Sequence, residues 1–169
     1  MKANALLAAI AAGLVASNSH AGPDKVAAPG DYRKTFSEYY SGDRTANDKQ
    51  AIRIYANATA IQGKQADGKL PYGSVIVGEI YSVKTDEGGK VMTSGLGRRI
   101  NDKLAAIVVM ERGEGFDEGY PDALKTGDWE FAVFSPAGQR LDKDIAPCRA
   151  CHHPLADQEF VFSYAHLGQ

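Results

Sequence analysis

Cysteine is scarce in this chain, with two among 169 residues, at positions 148 and 151. So close a pair cannot serve as a disulfide framework, because a bridge across so short a loop constrains little of the unfolded chain. Apolar runs are short as well. The run Ala5 to Ala16 (ALLAAIAAGLVA) falls below the about 20 residues that span a bilayer, and no other stretch is long and apolar enough. A surplus of either charge is lacking too: 19 Lys and Arg face 21 Asp and Glu, for a net charge of −2. That balance argues against nucleic acid or an anionic membrane as partner. No internal repeat, low-complexity tract or long charge block interrupts the chain. Histidine is limited to His20, His152, His153 and His166, which restricts any metal chemistry to few ligands.

What is present begins with the compartment. Lys2 precedes the apolar run, and Ser19-His20-Ala21 then offers small residues at the two positions a signal peptidase reads. Residues 1–21 therefore read as a secretory signal peptide cleaved after Ala21, and the protein is expected in the periplasm. The remaining 148 of the 169 residues suit one domain with a proper core. Residues 22–30 (GPDKVAAPG), with two Pro and two Gly, read as a flexible leader. Residues 31–169 then form the domain.

Within it, Tyr32, Phe36, Tyr39 and Tyr40 recur at helical spacing, predicting an amphipathic helix over 31–41 with an aromatic face. Residues 51–56 (AIRIYA) read as a short strand, and Asn57 to Asp67 as a helix stopped by Gly68. The clearest strand is 74–83 (SVIVGEIYSV), rich in β-branched residues but interrupted by Gly78, which signals a bulge or a close approach by something bulky. A hairpin turn at 85–89 leads to a weak strand at 90–94. Leu104 to Glu111 and residues 128–134 (DWEFAVF) are further strands, with a helical turn near Asp122 to Lys125 between them. Four or five strands joined mostly by turns, with helices at the ends, define the α+β class: a mainly antiparallel sheet with short packed helices. Two subunits meeting across such a sheet would cover both faces.

Cys148-Arg149-Ala150-Cys151-His152 has the form C-x-x-C-H, the attachment signature of one covalently bound haem c. Each thiol adds to one haem vinyl group, and the next residue, His152, then lies where its imidazole can ligate iron. Three other readings compete. A tetrahedral zinc site needs four ligands, whereas the pair can add only His152, His153 or His166, and adjacent His152 and His153 point apart. A thioredoxin-like pair sits where a strand enters a helix of a parallel unit, unlike this C-terminal position. A plain disulfide would constrain little. For the sixth position on iron, His153 lies too close to His152, while Met92 or Met110 would give a His/Met electron carrier. A Met inside a strong strand is also ordinary core packing, and an open sixth site is the favoured expectation.

The stretch Pro147-Cys-Arg-Ala-Cys-His-His-Pro-Leu-Ala-Asp-Gln-Glu-Phe-Val-Phe-Ser-Tyr164 resembles the haem-binding end of the cytochrome P-460 and cytochrome c′-beta family. The segments Ile52 to Asn57, Leu70 to Val77 and Gly127 to Phe134 are similar to that family as well, in the same order, so the resemblance spans roughly residues 31–164. It implies a mainly antiparallel homodimer with a five-coordinate haem, which in some members oxidises hydroxylamine and passes electrons to another cytochrome. Others bind nitric oxide in an apolar pocket. In the oxidases a strand Lys cross-links to the haem; that position matches Gly78 here, which cannot cross-link, and neither Lys69 nor Lys84 is an evident substitute. Gly78 would then let the strand pass close to the porphyrin, with Ile76 and Ile80 on the same face as an apolar distal wall. Arg53 matches a pocket arginine, serving either as a surface charge or as a propionate partner. Glu111 matches an acidic pocket residue, either solvent-facing or a proton relay. The resemblance thus implies a periplasmic mono-haem cytochrome binding a small gaseous or nitrogenous ligand. The alternatives are hydroxylamine oxidation, with Glu111 and Arg53 as candidate catalytic residues, and simple electron transfer.

Overall fold

A computed structural model describes residues 22–169; the expected signal peptide lies outside them. Six strands follow one another in space as they do in sequence: β1 (Ser37–Asp43), β2 (Gln50–Ala56), β3 (Val75–Val83), β4 (Asn101–Arg112), β5 (Trp129–Phe134) and β6 (Arg140–Leu141). Every neighbouring pair is antiparallel. This is the α+β arrangement expected. Among the described residues three short α-helices accompany the sheet: α1 (Tyr32–Thr35), α2 (Ala58–Asp67) and α3 (Ala146–His152). No helix among the described residues is long and apolar enough to cross a membrane.

The alternation of side chains along a strand divides the core in two. The register aligns Ala56, Ile76, Met110 and Phe131 in one row across β2 to β5. These four belong to a cluster completed by Ile54, Ala60 of α2, Leu70, Trp129, Ile145, Val161 and Leu167. The adjacent row, Tyr55, Val77, Val109 and Ala132, faces the other way and packs with Val26, Tyr32, Ile107 and Phe134. Both faces of the central strands are therefore covered within one chain. That explains why β3 reads as a nearly continuous apolar run rather than an alternating one.

The predicted helix over 31–41 is mostly a strand. Only Tyr32–Thr35 is helical, and Ser37–Asp43 joins the edge of the sheet. The helical-looking spacing has another cause. The register slips between Glu38 and Tyr40, a bulge that inserts Tyr39 as an extra residue. Tyr39 and Tyr40 consequently both pack against the Phe131 side of the core, while Tyr32 packs edge-on against Tyr55 on the other side, at 5.3 Å between ring centroids.

Helix α2 lies where expected. Asn57 caps it by accepting from Ala60 N–H at 3.0 Å, and Gly68, at φ 79°, ends it in the left-handed conformation. The weak strand at 90–94 does not form. Residues 84–100 make an excursion holding only the isolated bridges Thr85–Val91 and Thr93–Arg99. Gly78 produces no bulge either, since its pairing with Ile54 and Val108 is in register.

Candidate haem site

Helix α3 begins with Ala146 and Pro147, where a proline is tolerated because its missing N–H would have no helical partner. Cys148, Cys151 and His152 stand at i, i+3 and i+4 and so share one side of the helix. Both thiols are free. Cys148 packs against the Phe131 side of the core, and burial pushes its thiol pKa up; Cys151 is exposed.

His152 is held on three sides. Its Nδ1 lies 2.7 Å from the carbonyl oxygen of Phe160. A carbonyl only accepts, so Nδ1 carries the proton and Nε2 keeps its lone pair. The ring lies 4.9 Å from Phe131 and 5.0 Å, edge to face, from Phe162. Burial lowers its pKa and favours the neutral imidazole, partly offset by the Phe160 carbonyl. A neutral imidazole with Nδ1–H fixed by a carbonyl and Nε2 free is the ligand form of histidine at a metal. Two thiols and this imidazole on one helical side fit a c-type haem. Of the other histidines among the described residues, His153 Nδ1 lies 2.6 Å from the Lys125 carbonyl, and the His166 ring lies 4.9 Å from that of Tyr40.

What fastens α3 to the sheet is Arg149, inside the motif and fully buried. Strand β6 pairs only with Val133 and Phe134. On β5 ahead of them, the Glu130 carboxylate folds back to accept Phe131 N–H at 2.9 Å. Arg149 reaches that carboxylate at 3.1 Å and the carboxylate of Asp117 at 2.8 Å. It also donates to Thr126 Oγ1 and to the carbonyls of Leu124 and Phe116, with its guanidinium 3.5 Å above the Tyr120 ring. Asp117 is partly buried, which alone would raise its pKa; the N–H groups of Asp128 and Thr126 together with Arg149 hold it below the ordinary value. The sequence gives no sign of this role, because Arg149 occupies one of the two unspecified positions of C-x-x-C-H.

The other candidate residues are distributed unevenly. Gly78 alternates with Val77 and so faces the Phe131 side, together with Ile76. The close approach it permits is by neighbouring strands: a Cβ there would lie 2.8 Å from Val108 Cγ2 and 3.4 Å from Ile52 Cδ1. Arg53 and Glu111 share the opposite face, away from His152. Arg53 lies 3.4 Å from Glu38 and 5.9 Å over the Tyr81 ring. Glu111 accepts from Ala27 N–H at 3.1 Å. The structure thus brings Cys148, Cys151, His152 and Gly78 to one side of the sheet, and Arg53 and Glu111 to the other. Within one chain, neither Arg53 as a pocket residue nor Glu111 as a proton relay is supported. Both fall one residue out of step with the strand positions on the Phe131 side, which carries the ring contact to His152.

An antiparallel sheet with a terminal helix presenting two thiols and a metal-ready imidazole defines a haem c cytochrome. The family model described as Cytochrome P460 matches residues 29–163, and the chain belongs to that family. No curated relative matches the chain.

Proposed function

We propose that the protein is a periplasmic mono-haem cytochrome in which Cys148 and Cys151 form the two thioethers, His152 ligates iron through Nε2, and the opposite position stays open for nitric oxide or a related small nitrogen species. The observation that carries this reading is the fixed Nδ1–H to Phe160 bond, which leaves Nε2 of a buried, neutral imidazole as the free donor. Haem, when bound, supplies an iron centre that takes up small diatomic or nitrogenous ligands.

The chain's own residues do the rest. Phe131 and Phe162 confine the His152 ring. Ile76, Met110 and Phe131 supply apolar surface on the same side, which favours uncharged ligands. His153 adjoins His152 in the chain and so cannot reach the opposite face of the iron, which supports an open sixth position. Gly78, without a side chain and packed under Val108 and Ile52, has nothing to join to the porphyrin; this favours ligand binding over hydroxylamine oxidation. One observation favours a second reading: Met110 lies on the motif side of the sheet, as a His/Met electron carrier passing electrons to another cytochrome would require. We infer a homodimer, in line with the family resemblance.

The ferrous optical spectrum separates these readings. A high-spin spectrum that changes on adding nitric oxide or carbon monoxide is expected. A low-spin spectrum altered by Met110→Ala would replace the reading with the carrier. A strongly red-shifted ferrous band, with mass beyond two thioethers, would replace it with the cross-linked oxidase.

A further inference from the structure

Two consecutive non-glycine residues, Glu159 and Phe160, adopt left-handed backbone conformations, at φ 50° and 61°. Each is disfavoured for a residue with a Cβ, and such strain persists only where the surroundings over-determine it. Phe160 is the residue whose carbonyl holds His152 Nδ1. The surroundings of Glu159 are correspondingly specific. Its nearly buried carboxylate meets Arg112 Nη1 at 2.7 Å, Leu70 N–H at 3.3 Å and Lys69 Nζ at 3.2 Å. Arg112, the last residue of β4, also donates through Nε to the Gly127 carbonyl at 2.9 Å and through Nη1 to the Leu70 carbonyl. One guanidinium therefore ties the sheet, the segment after α2 and the strained turn together.

We propose that Arg112 and Glu159 are positioning residues for the proximal histidine: the ion pair latches the Glu159–Phe160 turn so that the Phe160 carbonyl accepts from His152 Nδ1–H. This inference rests on the reading of His152 as the iron ligand. A firmly held acceptor makes the imidazole a stronger electron donor, which favours the ferric state. The charged latch is joined to the sheet at one end and to the ligand at the other, so it acts on the iron without touching it.

The test uses the purified holoprotein, reading the iron–histidine stretching band by resonance Raman and the reduction potential by titration. Arg112→Ala and Glu159→Ala are expected to lower the band and to shift the ferrous-to-ferric equilibrium about tenfold toward ferrous, equivalent to about 59 mV for one electron. The double variant should add little to either single change. Glu159→Gln, which keeps an acceptor for Arg112 and Leu70, should recover part of both readouts, and Lys69→Ala, removing a largely exposed partner, should move neither. Should either alanine variant fail to fold, Glu159→Gly, which adopts the left-handed backbone without strain, carries the comparison: a band below that of wild type is expected. Folded variants whose band and potential equal those of wild type overturn the latch while leaving haem ligation intact. A wild-type protein whose ferrous haem is five-coordinate yet shows no iron–histidine band overturns both.

Discussion

At the residue scale the sharpest dependence falls on Arg149. A guanidinium taken wholly out of water is tolerated only where its charge is compensated, and here two carboxylates, a hydroxyl and two carbonyls accept from Nη1 and Nη2 while the Tyr120 ring lies beneath, leaving only Nε without a partner. Glu130 is fully buried as well. Arg149→Ala would leave it an uncompensated charge, so the variant is expected to lose about 3–5 kcal/mol of stability by denaturant unfolding. Arg149→Lys should recover little, because a single ammonium cannot reproduce a planar fork that bonds Asp117 and Glu130 while stacking on Tyr120. Wild-type stability in Arg149→Ala would mean that α3 is held by its apolar contacts alone.

Glu79 shows the same logic on the other face. Burial opposes its charge, but hydrogen bonds from Tyr32, Tyr81 and Arg33 hold its carboxyl below the ordinary 4.5, with Tyr32 Oη and Tyr81 Oη each 2.6 Å away. A depressed folded-state pKa contributes stability above the unfolded value and loses it as pH falls through the folded value. Urea midpoints should therefore drop as pH falls from the unfolded value near 4.5, and Glu79→Gln should flatten that limb while lowering stability at neutral pH. A limb equally steep in the variant would assign the acid sensitivity to other groups.

At the element scale the decisive strand is β3, which packs tightly against its neighbour at Gly78. A Cβ there would press on Val108 Cγ2 at 2.8 Å, so Gly78→Ala is expected to cost about 1–3 kcal/mol by overpacking. Val108→Ala should relieve the clash, making the double variant more stable than the sum of the single effects predicts; strict additivity in unfolding experiments would place the cost in the backbone instead. Strand β3 was legible in the sequence because both of its faces are buried and β-branched residues recur along it on either side of Gly78. Strand β1 was not. The bulge at Tyr39 sets its aromatic residues at a spacing that imitates a helix, and a bulge forms only against a partner strand that local sequence does not reveal. The 90–94 segment failed as a strand for the converse reason, since adequate β-formers there have no long partner to pair with.

For the whole molecule, what could be read locally and what required the fold divide cleanly. Cys148, Cys151 and His152 were legible because thioether formation and ligation demand their spacing within one helix. Arg53 and Glu111 were placed by resemblance, but their side of the sheet depends on a register set across several strands, and that register turns both away from His152. Arg149, Arg112, Glu159 and the Phe160 carbonyl escaped notice because their roles come from contacts between segments distant in the chain. The resulting picture is a six-stranded meander covered on both sides, with α3 carrying the haem-binding groups fastened by one buried cation. The most direct test of its central claim is the intact mass of the purified, exported protein under denaturing conditions. The account predicts a chain beginning after Ala21 and carrying one haem, with the attachment weakened in Cys148→Ser and Cys151→Ser. A mass equal to the bare polypeptide, from cells that attach haem to other c-type cytochromes, would contradict it.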